Sequence, residues 1–192
     1  MPELSVSPVP VAQRLTRFVR QHTEPRSDPQ GIRRRRPHDV AACARLAALS
    51  WSGTVRHPAW RDWLTAEEVV EAWVAEHQGE VLGHVALSEV EGDACSAMRW
   101  REVTGLPPGE LLAVSRLFVR RRVRGQGLGT ALVEMAVAGA RARGRLPVVE
   151  AIGAAPDELR LYESHGWRPV GLCPARLRAD GVDAHLFLPP RV

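Results

Sequence analysis

The chain has 192 residues, 45% of them hydrophobic, which is enough to bury a sizeable core in one domain and excludes a chain disordered throughout. Its 26 basic residues are all arginine, against 22 acidic ones, and the net charge is +4; lysine and asparagine do not occur, a bias that reads as genomic and lowers the weight of any arginine run as a binding signal. No apolar run approaches membrane-spanning length and no apolar h-region with a cleavage site opens the chain. Cys43, Cys95 and Cys173 are far apart and form no CxxC pair, so neither a zinc site nor a disulfide framework is expected, and a reducing cytoplasm is the expected location.

Residues 1–31 read as an appendage, interrupted by Pro2, Pro8, Pro10, Pro25 and Pro29. Within it Val11, Leu15, Phe18 and Val19 fall at i, i+4, i+7 and i+8, one apolar face of a short helix that could dock on the domain or on a second subunit. The domain proper, 32–192, starts with a short strand at Ile32 that leads to Pro37, a good first helical residue, with Asp39 in the first turn of a helix reaching Leu49. A tryptophan-rich segment follows, with Trp51, Trp60 and Trp63, and the capping-box spacing of Thr65 and Glu68 predicts a helical turn there. Trp73 to His77, a turn at Gln78-Gly79 and Val81 to Ser88 read as a hairpin. Residues 89–110 are polar and read as a long excursion. Leu111 to Val119 is an apolar strand, Thr130 to Arg143 a helix with Gly144 beyond its end, and Leu146 to Ile152 a strand. Pro156 to His165 reads as a helix, and Trp167 to Val170 and His185 to Leu188 as closing strands. This order is an α/β layout with one central mixed sheet.

The stretch Arg124-Gly125-Gln126-Gly127-Leu128-Gly129-Thr130 lies between a predicted strand and a predicted helix. Glycines there allow close approach of backbone to ligand, and the free N–H groups of a helix start favour an anionic phosphate. Arg124 adds a positive charge and Thr130 a hydroxyl. The dinucleotide fingerprint G-x-G-x-x-G fails, because Thr130 stands where its last glycine is needed, and a Walker A loop needs a lysine that the chain lacks. What remains is R-x-x-G-x-G.

In that context the chain resembles the GCN5-related N-acetyltransferase (GNAT) superfamily. Leu117-Phe118-Val119 followed by Arg124 to Leu132 is similar to that superfamily's acetyl-CoA motif, and Leu161-Tyr162-Glu163-Ser164-His165-Gly166-Trp167 to its tyrosine helix end. The resemblance spans roughly residues 32 to 188. It implies the GNAT fold, a central mixed, mostly antiparallel twisted sheet flanked by helices, and acetyl transfer from acetyl-CoA to an amine without a metal. The pyrophosphate would lie on the backbone amides of Gln126 to Thr130, and the pantetheine arm would pair with main-chain groups of Leu117 and Val119. One main-chain N–H there would polarise the thioester carbonyl. Tyr162, the single tyrosine, would protonate the leaving thiolate.

The general base is left open between His84, Glu110, Glu150 and water, each side chain having an ordinary structural reading as well. Trp51, His57, Trp60 and Trp63 lie where an acceptor pocket or a packed core would both use aromatics. Acceptors of either kind, a small molecule or a protein amine, fit the sequence, and a homodimer is compatible with it. Two competing readings are a non-catalytic acyl-CoA-binding module and an arginine-rich nucleic-acid binder built on Arg33 to Arg36; no nucleic-acid motif accompanies that run.

Overall fold

The structure is a computed structural model that describes residues 31–50, 59–92, 94–154, 156–178 and 181–190. The expected N-terminal helix face, Trp51 and His57 lie outside the described residues. Seven strands form one sheet in the order β1-β2-β3-β4-β5-β7-β6, with β1 at Ile32–Arg34, β2 at Val69–His77, β3 at Glu80–Ser88, β4 at Leu111–Val119, β5 at Leu146–Ile152, β6 at Arg168–Cys173 and β7 at Ala184–Leu188. All neighbouring pairs are antiparallel except β4 and β5. The β2–β3 turn works because Gln78 and Gly79 both take positive φ, 50° and 77°, which matches the twist of the flanking strands.

Among the described residues five α-helices cover the sheet: α1 (Val40–Ser50), α2 (Trp60–Leu64), α3 (Cys95–Thr104), α4 (Leu128–Ala142) and α5 (Pro156–Ser164). On one face Leu132, Val133 and Ala136 of α4 and Tyr162 of α5 pack on Trp73, Val85, Leu112, Val114 and Val149. On the other face Cys43 and Leu46 of α1 and Leu64 of α2 pack on Val74, Val81 and Phe118. Farther along that second face Trp100 of α3 sits over Leu111, Val148 and Leu186. Among the described residues no helix is long and apolar enough to cross a membrane.

The structure departs from the sequence reading in four places. The 89–110 excursion contains a helix, α3, whose Ala97 and Trp100 are buried while Arg99, Arg101 and Glu102 face out, so its composition is polar although one face is core. The helical turn expected at Thr65–Glu68 lies earlier, in α2, and Thr65 ends it: its N–H and hydroxyl both bond to the carbonyl of Arg61. β2 begins at Val69 rather than Trp73. The expectation that no disulfide forms is overturned: Cys95 and Cys173 are bonded, with Cα atoms 5.9 Å apart across a sequence separation of 78. Packing of α3 on β6 creates that meeting, and no local spacing could reveal it.

One irregularity shapes the centre of the sheet. His84 pairs with Phe118, but Ala86 pairs with Ser115, so β4 carries one extra residue opposite β3. Arg116 absorbs it with a φ of +52°, a left-handed conformation that costs a non-glycine residue about 1–2 kcal/mol. The bulge breaks the side-chain alternation. Ser115 and Arg116 both face the α1–α2 side, while Leu117 and Val119 pack toward α4.

The Arg116 guanidinium is buried there and fully used. Its Nε donates to the Trp63 carbonyl at 2.7 Å, Nη1 to Ser88 Oγ at 2.6 Å, and Nη2 to Glu68 Oε1 at 2.5 Å, and its carbon lies 5.1 Å from the centre of the Trp63 ring. His84 lies alongside, wholly buried and stacked on Phe118 at 4.9 Å. Its Nε2 is 3.2 Å from Arg35 Nη1, which can only donate, so Nε2 is the acceptor and Nδ1 carries the hydrogen, donating to the Arg116 carbonyl at 2.9 Å. Burial, with the Arg35 and Arg116 charges nearby, lowers the His84 ring to about 3, so it is neutral at ordinary pH.

Two expectations follow from these contacts. Thiol titration of the unfolded, unreduced chain finds one reactive cysteine, Cys43, and reduction releases Cys95 and Cys173. Reduction of the native protein lowers its stability by about 2–4 kcal/mol, a Tm drop of roughly 5–15 °C. Three reactive thiols without reductant would contradict the bridge.

The second expectation concerns acid. Above pH 6.5 the His84 ring is neutral in both folded and unfolded chains. Below it the unfolded chain takes up a proton that the buried ring refuses until about pH 3, so stability falls as pH drops. The His84 contribution approaches about 1.4 kcal/mol per pH unit in that window. Urea midpoints at pH 7, 6 and 5 should decline less steeply for His84→Asn; equal slopes would show that His84 is not the group responsible.

Candidate functional site

Two glycines set the path of the loop between β4 and α4. Gly125 and Gly127 take φ of +74° and +80°, a region that L side chains rarely adopt, and a Cβ at Gly125 would meet only open space. Gly127 is the N-cap residue of α4, no side chain caps this helix, and its first turn holds no acidic residue. The first intrahelical bond from this end runs from Ala131 N–H to Gly127 O at 3.0 Å, so the N–H groups of Leu128, Gly129 and Thr130 precede the helical ladder. Positive helix-dipole charge gathers at the same place. Gly129 needs no special φ. A Cβ there would sit 3.7 Å from Leu161 and 3.8 Å from Val119, which shows how closely α4, α5 and β4 converge at the loop.

Beside this loop the sheet opens. The parallel ladder between β4 and β5 runs from Leu111–Leu146 to Val114–Val149 and ends there, while β4 continues to Val119. Past Val114, the side of β4 that faces β5 therefore has no ladder partner among the described residues. Arg120 N–H donates to Leu82 O at 2.8 Å, so by alternation Phe118 also bonds toward β3. Leu117 and Val119 then turn their main-chain groups into the opening. An independent contact agrees: Arg124 Nε donates to the Val119 carbonyl at 3.2 Å, from the loop side. Of the three expected residues, Phe118 turns its ring to the other face of the sheet, where it packs on His84 and Trp63.

Tyr162 is buried in the same cluster as Val119 and Leu128, with Trp167 and Phe187 at 5.9 Å and 5.4 Å from its ring. Burial first, and the Glu158 charge second, raise its hydroxyl above the ordinary phenol range, so it keeps its proton. Burial also raises the Glu158 carboxyl, against the opposing pull of Arg124. Glu158, one helical turn before Tyr162, is a residue that the sequence reading missed; the i, i+4 spacing was the available signal. His165 is another. Its Nδ1 donates to Leu161 O at 2.7 Å, and its Nε2 meets Thr130 Oγ1 at 3.2 Å, joining the end of α5 to the start of α4.

The base candidates separate on geometry. His84 is a packed core residue with both ring nitrogens engaged, so it has no free position from which to take a substrate proton. Glu110 is exposed in the short turn before β4. Glu150, on β5 just past the end of the β4–β5 ladder, is ion-paired with Arg178. Trp60 and Trp63 pack edge to face at 5.5 Å, and Trp63 also holds Phe118 and Arg116, so these rings serve the core of the α1–α2 face. The arginine run is largely consumed by internal contacts. Arg33 binds Asp39 at 2.7 and 2.9 Å, Arg34 binds Glu71 at 2.6 Å, and Arg35 binds the Leu64 carbonyl at 2.7 Å. Among the described residues no group of His, Cys, Asp and Glu side chains is placed to hold a metal ion.

Solved structures with the same fold include the NAA60 protein of Arabidopsis thaliana in complex with acetyl-CoA, at TM-score 0.64 and 17% identity over 82% of this chain and 96% of that one. An N-acetyltransferase from Staphylococcus aureus Mu50 aligns at TM-score 0.62 and 17% identity, covering 83% and 97%. The ribosomal-protein-S18-alanine N-acetyltransferase of Escherichia coli aligns at 0.60 and 16%, covering 84% and 94%. No curated protein sequence matches the chain. The sequence profile of the acetyltransferase (GNAT) domain matches residues 68–169, which is more than half of the chain and includes the β4 slot, the glycine loop and Tyr162. By that match the protein belongs to the GNAT family of acetyltransferases.

Proposed function

We propose that this protein transfers the acetyl group of acetyl-CoA to a primary amine, on a small molecule or a protein, by direct attack, with the Tyr162 hydroxyl as the hydrogen donor to the departing sulfur: the general-acid position, filled by a hydrogen bond. The observation that carries this reading is the convergence of two features: an uncapped α4 start behind Gly125 and Gly127, and a β5-facing side of β4 that has no ladder partner beyond Val114 among the described residues. The first suits a pyrophosphate. The second suits an amide-bearing arm that can extend the sheet. Acetyl-CoA has both parts and supplies an activated thioester.

The chain's residues would then divide the work. Backbone N–H groups of Gln126 to Thr130 hold the phosphates, and Arg124 adds charge beside them. Leu117 and Val119 orient the arm, and the Leu117 N–H lies on the side of β4 suited to polarise a thioester carbonyl. A phenol held above its ordinary range is a weak proton source for a thiolate, whose conjugate acid titrates near 8.5. Its contribution is better described as a hydrogen bond to developing charge, worth about 1.5–3 kcal/mol, or roughly 10–100-fold in rate. The nucleic-acid reading loses its support, because Arg33, Arg34 and Arg35 already hold partners within the domain.

Calorimetric titration with acetyl-CoA, CoA and adenosine bisphosphate tests the donor site. Micromolar acetyl-CoA binding is expected, weakened by at least about tenfold in Gly127→Val, because a β-branched residue is strained at φ +80°. Unchanged affinity in that variant would place the cofactor elsewhere. Thiol release with a panel of amines, from polyamines to peptides with free N-termini, then separates an enzyme from an acyl-CoA sensor. Tyr162→Phe should lower kcat about 10–100-fold while leaving acetyl-CoA affinity nearly intact. Equal turnover would remove the role of Tyr162 as hydrogen donor to the sulfur.

A further inference from the structure

The Arg116–Leu117 peptide is held by its carbonyl from across the sheet. It follows a left-handed residue in the middle of a strand, where the ordinary extended conformation would be lower in energy. Its carbonyl is held by the wholly buried His84 through Nδ1–H at 2.9 Å. The tautomer that makes this possible is set from behind, because Arg35 Nη1 can only donate to Nε2. Arg35 is in turn anchored on the Leu64 carbonyl at 2.7 Å. A trans peptide directs its C=O and N–H in opposite directions. With the carbonyl drawn to His84, the Leu117 N–H is directed away from it, toward the slot that opens where the β4–β5 ladder ends. Strand alternation counted from the Arg120–Leu82 bond gives Leu117 the same direction.

We propose that His84 is a positioning residue: through the chain Leu64 carbonyl, Arg35, His84 and Arg116 carbonyl, it holds the Arg116–Leu117 peptide with its N–H facing the donor slot. This rests on the acetyltransferase reading above and adds to it a specific control. Without the His84 donor, Arg116 can relax toward the extended region and the peptide can turn over. A carbonyl oxygen would then face the thioester oxygen where a donor is needed. His84 touches no substrate and takes no proton in this role. It acts through the direction of one peptide, from across the sheet.

The test uses the full chain labelled with 15N. In the wild type the Leu117 amide proton should move downfield with acetyl-CoA and not with CoA, because only the first offers a thioester carbonyl. His84→Leu removes the donor. It should abolish that difference and lower acetyl-CoA turnover about 100-fold, with acetyl-CoA affinity changed by less than about threefold. His84→Asn, whose side-chain amide can stand in for Nδ1–H, should restore most of both. A merely structural role would lower stability in both variants without separating turnover from affinity. The proposal is overturned if the wild-type Leu117 amide responds equally to acetyl-CoA and CoA although both bind, or if His84→Leu keeps the response. If His84→Leu does not fold, the wild-type comparison and the His84→Asn response decide. If the wild type binds neither compound, the donor site itself is misplaced and both readings fall.

Discussion

The rest of the structure depends on the buried guanidinium of Arg116 and the bulge that puts it there. One extra residue in β4 turns two successive side chains to the same face, and the second of them, Arg116, reaches under α2. It binds the Trp63 carbonyl near the end of that helix, the carboxylate that precedes β2 and the hydroxyl that ends β3. Removing this cation would take a charge-assisted donor from the end of α2 and from the Ser88 hydroxyl, a cost of about 1.5–3 kcal/mol, while Glu68, 39% exposed, can turn to water. The same bulge bends β4 just where its ladder with β5 stops, at Val114. A single irregularity thus joins the packing of the α1–α2 face to the opening of the slot on the far edge of β4.

Arginine is the only basic side chain of its length in this protein, and the structure shows where its planar fork is used inside the fold. Arg35 and Arg116 end helix α2 by donating to the Leu64 and Trp63 carbonyls, a task to which a helix C-terminus lends its negative dipole. Arg33 takes Asp39 in a two-bond grip, and this holds the Asp39 carboxyl below its ordinary range. Arg145 binds Glu89 and the Leu111 carbonyl, fixing the approach to β4. The exposed pairs among these add little stability individually, since solvent screens them. The buried ones set direction: each holds a named carbonyl or carboxylate at the boundary of an element that lines the site.

The electrostatics around the loop are divided between two carriers. The start of α4 has neither a capping side chain nor an acidic residue in its first turn, so its positive end is uncompensated within the helix. The nearest negative influence comes from α5. Glu158 lies within the field of Arg124 and raises the Tyr162 hydroxyl, while its own charge is discouraged by burial. An incoming polyanion would reinforce that discouragement. The protonated phenol is therefore the stable form of Tyr162 with or without a neighbouring phosphate, and it offers a hydrogen to whatever sulfur or oxygen lies beside it.

The residue pattern alone determined the order of elements, the α/β class and the place of the loop. Those features depend on contacts near in sequence: apolar alternation in Leu111 to Val119, the Gln78-Gly79 turn, and glycines that only a left-handed backbone requires. The link between the glycine loop and Tyr162 came from the resemblance of both stretches to the family's motifs and not from periodicity or composition. Helix α3 was hidden because a ten-residue segment with one buried tryptophan reads as polar. The Cys95–Cys173 bridge, the Arg116 bulge and the engagement of His84 were decided by tertiary structure alone. Each depends on groups at least 28 residues apart, brought together by strand pairing or by a helix laid over the sheet. A bulge moves every later side chain to the opposite face while leaving the local apolar pattern nearly unchanged, so Arg116 reads as an ordinary strand cation until the sheet forms around it.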